Sequence, residues 1–194
     1  ISKGGFELES AVWARWGHLR DPYRVLLLFR LSSVKADNPI VPACQQVFEM
    51  WPNLDTFMAA SPVEDLRFRS IVNKLGFQNK NMEFIESARI VIRNSGNVVP
   101  CKLEALSEIK HVGEKIAECV LGYGYGMPAM PVDVNVCRVL YRVTGLRNPN
   151  LPKPSDWATH FRQELKRITT VYPDWLRKLK LAMVDIHELL RLHG

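Results

Sequence analysis

Apolar residues recur along most of the chain at the three- and four-residue spacing of amphipathic helices. Between residues 79 and 94, for example, Met82, Ile85, Ala88 and Ile92 fall on one helical face. The apolar run 25–31 has the composition of a buried strand, but it follows Asp21-Pro22, a pair typical of helix starts, and has no partner strand. We therefore interpret that run as a buried helix and predict an all-α protein of roughly ten helices.

Capping residues, prolines and glycines mark the predicted helix boundaries. Asp21-Pro22, Asn38-Pro39 and Ser61-Pro62 each place a capping side chain before a proline suited to the first helical turn. The helices predicted in the first half of the chain after the buried run cover residues 40–51, 54–60, 63–75 and 79–94.

The stretch 106–133 predicts a short helix, a tight turn ending in Val112-Gly113, a second helix, a loop and the start of a third helix. We expect Gly113 to close the turn through a positive φ and to let another backbone come close. The amide groups after such a turn lie at a helix N-terminus, where unpaired N–H groups and the helix dipole favour a phosphate.

Two residues of this stretch carry candidate chemistry. Lys115 comes just after the turn, and Asp133 directly precedes the next apolar-periodic run, so that an amine and a carboxylate would face each other across a cleft. Taken one at a time, a helical lysine is most often a solvated charge, and an aspartate before a helix is most often its N-cap. The two residues together favour a site over two unrelated surface charges.

Composition narrows the class of partner. The 194-residue chain has ordinary apolar (47%) and charged (24%) fractions, which indicate one large globular domain or two small ones. Its net charge of +6 favours a polyanion. The sequence shows neither a membrane-spanning run nor a signal peptide, so no membrane partner is expected. The four scattered cysteines indicate buried apolar residues in a reducing compartment, with no disulfide framework and no metal site.

The segment Ile109-Lys-His-Val-Gly-Glu-Lys115-Ile-Ala, followed by Val132-Asp133-Val-Asn-Val-Cys-Arg-Val, closely resembles the helix-hairpin-helix DNA glycosylases of the endonuclease III type. In that family the hairpin reads Leu-Pro-Gly-Val-Gly, the lysine two positions after the second glycine is the nucleophile, and the aspartate of a Val-Asp pair opens the next helix. Lys115 and Asp133 match both positions. Lys110-His111 replaces the Pro-Gly of the family pattern, and the turn can survive because histidine tolerates the left-handed region better than most residues.

The resemblance implies a fold of two helical domains with the active site in the cleft between them. Residues 22–128 would form a helical barrel that contains the hairpin, and residues 1–21 would join residues 129–194 in a second domain. The hairpin residues expected to bind DNA are Lys110, His111, Val112 and Gly113. The segment 75–79 resembles the loop that wedges into the duplex, which implies DNA contacts for Phe77, Gln78 and Asn79; a core position is the alternative for Phe77.

The resemblance also implies an activity, that of a base-excision-repair DNA glycosylase with abasic-site lyase activity. The enzyme would flip a damaged base out of the duplex, Lys115 would attack C1′ to form a Schiff base, and β-elimination would cut the strand. Asp133 would stabilise the positive charge on the sugar and help to activate the lysine. The alternatives are a mismatch thymine or uracil glycosylase of the same superfamily and a non-catalytic helix-hairpin-helix DNA-binding module.

The expected partner is double-stranded DNA with a damaged, mismatched or abasic nucleotide. We expect a monomer in a reducing intracellular compartment, either the cytoplasm (nucleoid) or the nucleus. Many members of the family carry four cysteines just after Leu-His-Gly that hold an iron–sulfur cluster. No cofactor is expected within this chain, and a cluster is expected only if the protein continues past Gly194.

Overall fold

A computed structural model of the chain describes residues 20–32, 40–75, 78–144 and 159–163. All regular elements in these ranges are helical, and none of these residues lies in a strand, which confirms the predicted all-α fold class. The chain divides into two compact units between Gly126 and Met127. Across the same ranges, no helix combines the length and the apolar character needed to cross a membrane.

Within the described residues, the first unit contains seven α-helices. They are α1 (Pro22–Ser32), α2 (Ile40–Met50), α3 (Leu54–Met58), α4 (Pro62–Asn73), α5 (Gln78–Asn94), α6 (Leu103–Ser107) and α7 (Glu114–Cys119). The second unit contains α8 (Val134–Thr144), and residues 159–163 are also helical. The four helices predicted between residues 40 and 94 are confirmed, with ends that differ by no more than two residues.

Local hydrogen bonds explain where several of these helices begin. Asp21 Oδ1 accepts a hydrogen bond from the N–H of Tyr23 at 3.0 Å, at the start of α1. Ser61 and Glu64 form a reciprocal capping box at the start of α4, where each side chain accepts from the backbone N–H of the other residue. The predicted caps at Asp21 and Ser61 are confirmed, and Asn38-Pro39 lies outside the described residues.

Helix α1 lies in the core of the first unit. All residues from Val25 to Leu31 are at most 4% exposed, including Arg30. Such a helix is apolar around most of its circumference and must be covered on all sides. It packs against α2, α7 and the helical turn that follows α7. The run 25–31 is therefore the buried helix that its start signal predicted.

Arg89 of α5 joins three helices of the first unit. Its guanidinium donates two hydrogen bonds of 2.8 Å to the carboxylate of Asp65 in α4. A further hydrogen bond of 2.9 Å goes from Arg89 Nε to the backbone oxygen of Phe57 in α3. The same guanidinium lies 5.3 Å from the ring of Trp51, which is fully buried. A bidentate pair over an aromatic ring fixes the arrangement of these helices more strongly than apolar contact alone.

Helix α7 continues without a break into a π-helical stretch, Val120–Gly124, which the apolar pattern of the sequence did not predict. The N–H of Tyr125 donates to the backbone oxygen of Val120 at 3.1 Å, which is the five-residue spacing of a π turn. A Cβ built on Gly124 would lie 2.7 Å from the Cα of Pro22. Glycine is therefore required at this position, because the first turn of α1 presses against its backbone.

The second unit has a small core of its own around α8. Val132, Val136, Cys137 and Phe161 are buried together, and Leu140 packs against them. Burial raises the pKa of the Cys137 thiol to about 11. The guanidinium of Arg162 donates to the backbone oxygen of Val132 at 3.4 Å, which ties residues 159–163 to the segment that precedes α8.

Candidate functional site

The turn between α6 and α7 reverses at His111. This residue has a φ of 63°, so the predicted tolerance of histidine for the left-handed region is confirmed. The N–H of Val112 donates to the backbone oxygen of Ile109 at 3.0 Å, and the Val112 side chain is buried. The turn therefore keeps a compact hydrogen-bonded shape with histidine at position 111, where the helix-hairpin-helix pattern has glycine.

The expectation that Gly113 closes the turn through a positive φ was wrong. Gly113 has φ −86° and ψ 176°, an extended conformation, and it serves as the N-cap of α7. The chain has already reversed at His111, so Gly113 needs only to lead into the helix. A Cβ built on Gly113 would meet no atom of the described residues within 4 Å, so the surface in front of this backbone is open.

Two contacts from α5 hold this turn in place. The Ser87 hydroxyl accepts a hydrogen bond from the N–H of Lys110 at 2.8 Å. Glu83 Oε2 lies 2.7 Å from Nε2 of His111, and this hydrogen bond holds the pKa of the Glu83 carboxyl below its usual value. Glu83 and Ser87 were not predicted from the sequence, because they are more than twenty residues from the turn and belong to no motif.

Lys115 is the second residue of α7, directly after the turn. Its side chain is half-buried, and its Nζ lies 6.0 Å from the ring centroid of Phe29 in α1. The Phe29 ring is stacked on Tyr123 of the π-helical stretch, with centroids 5.4 Å apart. Helix α1 and the π-helical stretch thus place an aromatic pair beside the predicted nucleophile, at a distance typical of a cation–π contact.

The N-cap residue of α7 supplies no side-chain cap. Gly113 occupies the N-cap position and has no side chain with which to accept the first amide hydrogens. The first N–H groups of a helix have no partner within the helix and are satisfied by caps, water or ligands. The open surface at Gly113 leaves room for an anionic oxygen at the start of α7.

Asp133 lies in the second unit, where it is the N-cap of α8. Its Oδ1 accepts from the N–H of Val136 at 2.9 Å, and its backbone oxygen accepts from the N–H of Cys137 at 2.9 Å. The capping interpretation of this residue is therefore correct. Lys115 belongs to the first unit, and the joint action of the two residues stays a prediction.

The predicted wedge segment is described only in part. Phe77 lies outside the described residues, Gln78 is the first residue of α5, and Asn79 is exposed on its first turn. Lys110 and His111 of the hairpin are exposed as well, as a DNA contact would need. A DNA-binding role for Phe77, Gln78 and Asn79 stays a prediction.

The four cysteines lie apart in the chain, and the expectation that the chain itself holds no cofactor stays a prediction. None of the four forms a disulfide: Cys44, Cys119 and Cys137 are buried, whereas Cys101 is exposed and so departs from the predicted burial. Among the residues that the structure describes, no group of three or more histidine, cysteine, aspartate or glutamate side chains is arranged to hold a metal ion. Four cysteine ligands gathered at one place are the usual requirement of such a cluster.

No family model matches the chain, but individual relatives do. The thymine-DNA glycosylase of Aeropyrum pernix is 26% identical over 175 residues, which cover 88% of this chain and 75% of that protein. Endonuclease III of Thermotoga maritima is 33% identical over 124 residues, covering 63% of this chain and 57% of that enzyme.

Solved structures share the fold. A trapped covalent intermediate of endonuclease III with DNA matches with a TM-score of 0.68 and 18% identity, over 100% of this chain and 86% of that one. A thermostable thymine-DNA glycosylase matches with a TM-score of 0.57 and 22% identity, over 65% of this chain and 57% of that one.

Proposed function

We propose that this chain, a member of the endonuclease III-like superfamily of helix-hairpin-helix DNA glycosylases, excises a damaged or mismatched base from double-stranded DNA. We further propose that it cleaves the strand at the resulting abasic site. The observation that carries the proposal is the position of Lys115. Lys115 lies in the first turn of α7, with its Nζ 6.0 Å from the Phe29 ring centroid and its backbone two residues after the open surface at Gly113.

The hairpin anchors the DNA in this proposal. A phosphate oxygen approaches the backbone at Gly113, where no Cβ intervenes, and accepts hydrogen bonds from backbone amides at the start of α7. The exposed Lys110 adds a positive charge beside the same phosphate. This contact carries no base sequence information, so it positions the strand without selecting the lesion.

Lys115 then performs the chemistry on the flipped nucleotide. Its neutral amine attacks C1′, the bond from C1′ to the base breaks, and the base leaves with the electron pair and takes up a proton. Ring opening gives a Schiff base between Lys115 and C1′. Loss of a proton from C2′ then expels the 3′ phosphate, which cuts the strand. Asp133 stabilises the positive charge that develops on the sugar as the base departs.

A mismatch thymine or uracil glycosylase is the second candidate within the superfamily. The relatives from Aeropyrum pernix and from Methanothermobacter thermautotrophicus, each 26% identical to this chain, carry the names thymine-DNA glycosylase and thymine/uracil-DNA glycosylase. A lysine at position 115 favours the version with strand cleavage, because only an amine forms the Schiff base from which β-elimination proceeds.

Borohydride trapping on abasic duplex DNA tests the proposal. Hydride reduces the imine, so the wild type should give a protein–DNA band that resists denaturation. Lys115→Gln should give no band and no strand cleavage while it still binds the duplex. Lys102→Gln, which removes a charge from an exposed lysine before α6, is the matched control and should trap normally. A wild-type protein that gives no trapped band would leave base release without strand cleavage, or DNA binding alone, as the better assignment.

A further inference from the structure

The hairpin turn is held by a carboxylate on a surface that is proposed to face DNA. Glu83 lies 2.7 Å from His111 Nε2, and the two side chains are 47% and 27% exposed, respectively. Lys80 and Lys110 are the other charged groups that act on Glu83. A negative charge beside a phosphate-binding turn repels DNA. If Glu83 favours DNA binding, it must therefore do so through its hydrogen bond to His111.

His111 gives that contribution a physical basis. It holds a φ of 63°, which glycine adopts freely and which costs an L-residue conformational energy, even histidine, which tolerates it better than most. Without an anchor, the turn would be free to relax toward negative φ and carry the backbone of Val112 and Gly113 away from its present position. The bond to Glu83 fixes the side chain, and the Ser87 hydroxyl fixes the adjacent Lys110 N–H at 2.8 Å.

We propose that Glu83 is a positioning residue for DNA binding, which holds His111 in the left-handed conformation and so presents the hairpin backbone to a phosphate. The proposal rests on the proposed function, because it assigns a role at the same hairpin. A glycine at position 111 would adopt the positive φ without help, whereas His111 in this chain is held there by Glu83. Its effect on DNA affinity should therefore disappear when residue 111 is glycine.

A double-mutant cycle tests this dependence. The dissociation constant for a duplex with a stable abasic-site analogue is measured for the wild type, Glu83→Gln, His111→Gly and the double variant. Glu83→Gln should weaken binding roughly threefold in the wild-type background, the scale expected for a partly exposed charge-assisted pair. In the His111→Gly background the same change should not weaken binding at all, since the loss of a negative charge there can only favour DNA. Glu86→Gln, an exposed carboxylate of the same helix, is the matched charge control and should not weaken binding.

A kinetic readout separates positioning from a general loss of structure. With enzyme in saturating excess, the single-turnover rate of Glu83→Gln should equal that of the wild type, because Lys115 is untouched and only the binding step is affected. An equal effect of Glu83→Gln in both backgrounds, or a lower rate at saturation, would overturn the role of Glu83 and leave the proposed function standing. A wild type that does not bind the duplex would overturn both.

Discussion

The carboxylate of Asp133 makes a hydrogen bond that an amide can replace. Its Oδ1 accepts from the N–H of Val136 at 2.9 Å, and asparagine caps helices about as well as aspartate. We therefore expect Asp133→Asn to keep the fold, with a melting temperature close to that of the wild type, while base release falls by about two decades or more, because the negative charge is lost. Single-turnover base release and thermal melting measure the two effects. If melting temperature and base release fell together, the residue would be only a cap.

At the residue scale, the sequence predicted two local features that the structure contains, and the roles of the site residues stay predictions. The residue type alone predicted that His111 would accept the left-handed region, and the position of Asp133 before an apolar run predicted its cap. The error at Gly113 has a simple cause. A turn with one reversal needs one left-handed residue, and the sequence does not say whether position 111 or position 113 provides it.

At the scale of elements, two glycines near the ends of the helical segment 114–124 should behave in opposite ways. Gly124→Ala forces a Cβ to within 2.7 Å of the Pro22 Cα and should destabilise the protein by about 2–3 kcal/mol, the cost of overpacking against backbone. Gly113→Ala meets open space and should cost less than about 1 kcal/mol, the scale of an N-cap change.

DNA binding should show the reverse order. The methyl group of Gly113→Ala stands where the phosphate is proposed to approach, so affinity for duplex DNA should fall several-fold, whereas folded Gly124→Ala should bind as the wild type does. Chemical denaturation gives the stabilities, and fluorescence anisotropy gives the affinities. A Gly113→Ala variant that binds normally would place the phosphate elsewhere on the protein.

The helices themselves were predictable because their signals are local. A cap such as Ser61 and the apolar spacing of residues 79–94 act within a few residues of one another. The π-helical stretch was not predictable from that spacing, since a single turn with a five-residue hydrogen bond is too short to shift an apolar pattern. The contact of Lys115 with Phe29 was not predictable either, because nothing in the sequences of α1 and α7 indicates that these two helices pack together.

At the scale of the whole molecule, the net charge of +6 should make the affinity for DNA depend on salt concentration. The logarithm of the affinity for undamaged duplex should fall linearly with the logarithm of salt concentration, by roughly 0.9 for each phosphate neutralised. Lys110→Gln should lower the slope by about 1, as expected when one phosphate contact is removed. A titration by anisotropy at several salt concentrations measures both. An affinity that does not change with salt would rule out phosphate contacts as the basis of binding.

The sequence also predicted the all-α class of the whole molecule, but not the contacts that assemble it. The bidentate pair of Arg89 with Asp65 joins positions 24 residues apart, and neither residue stands in a motif. Such pairs depend on how helices pack, which apolar periodicity leaves open. The sequence therefore gave good evidence for the elements and the hairpin, and little for the residues that hold the hairpin in place.

The close approach of Gly124 to Pro22 has a consequence for the order of events during synthesis. The two residues are 102 positions apart (124 − 22), so this contact closes a loop that includes almost all of the first unit. Helix α1 leaves the ribosome before α7 and the π-helical stretch, so it lacks two of the elements that cover it until they have followed. The contacts of the apolar run 25–31 with these two elements, including that of Phe29 with Lys115, therefore require residues 114–124 to have been synthesised.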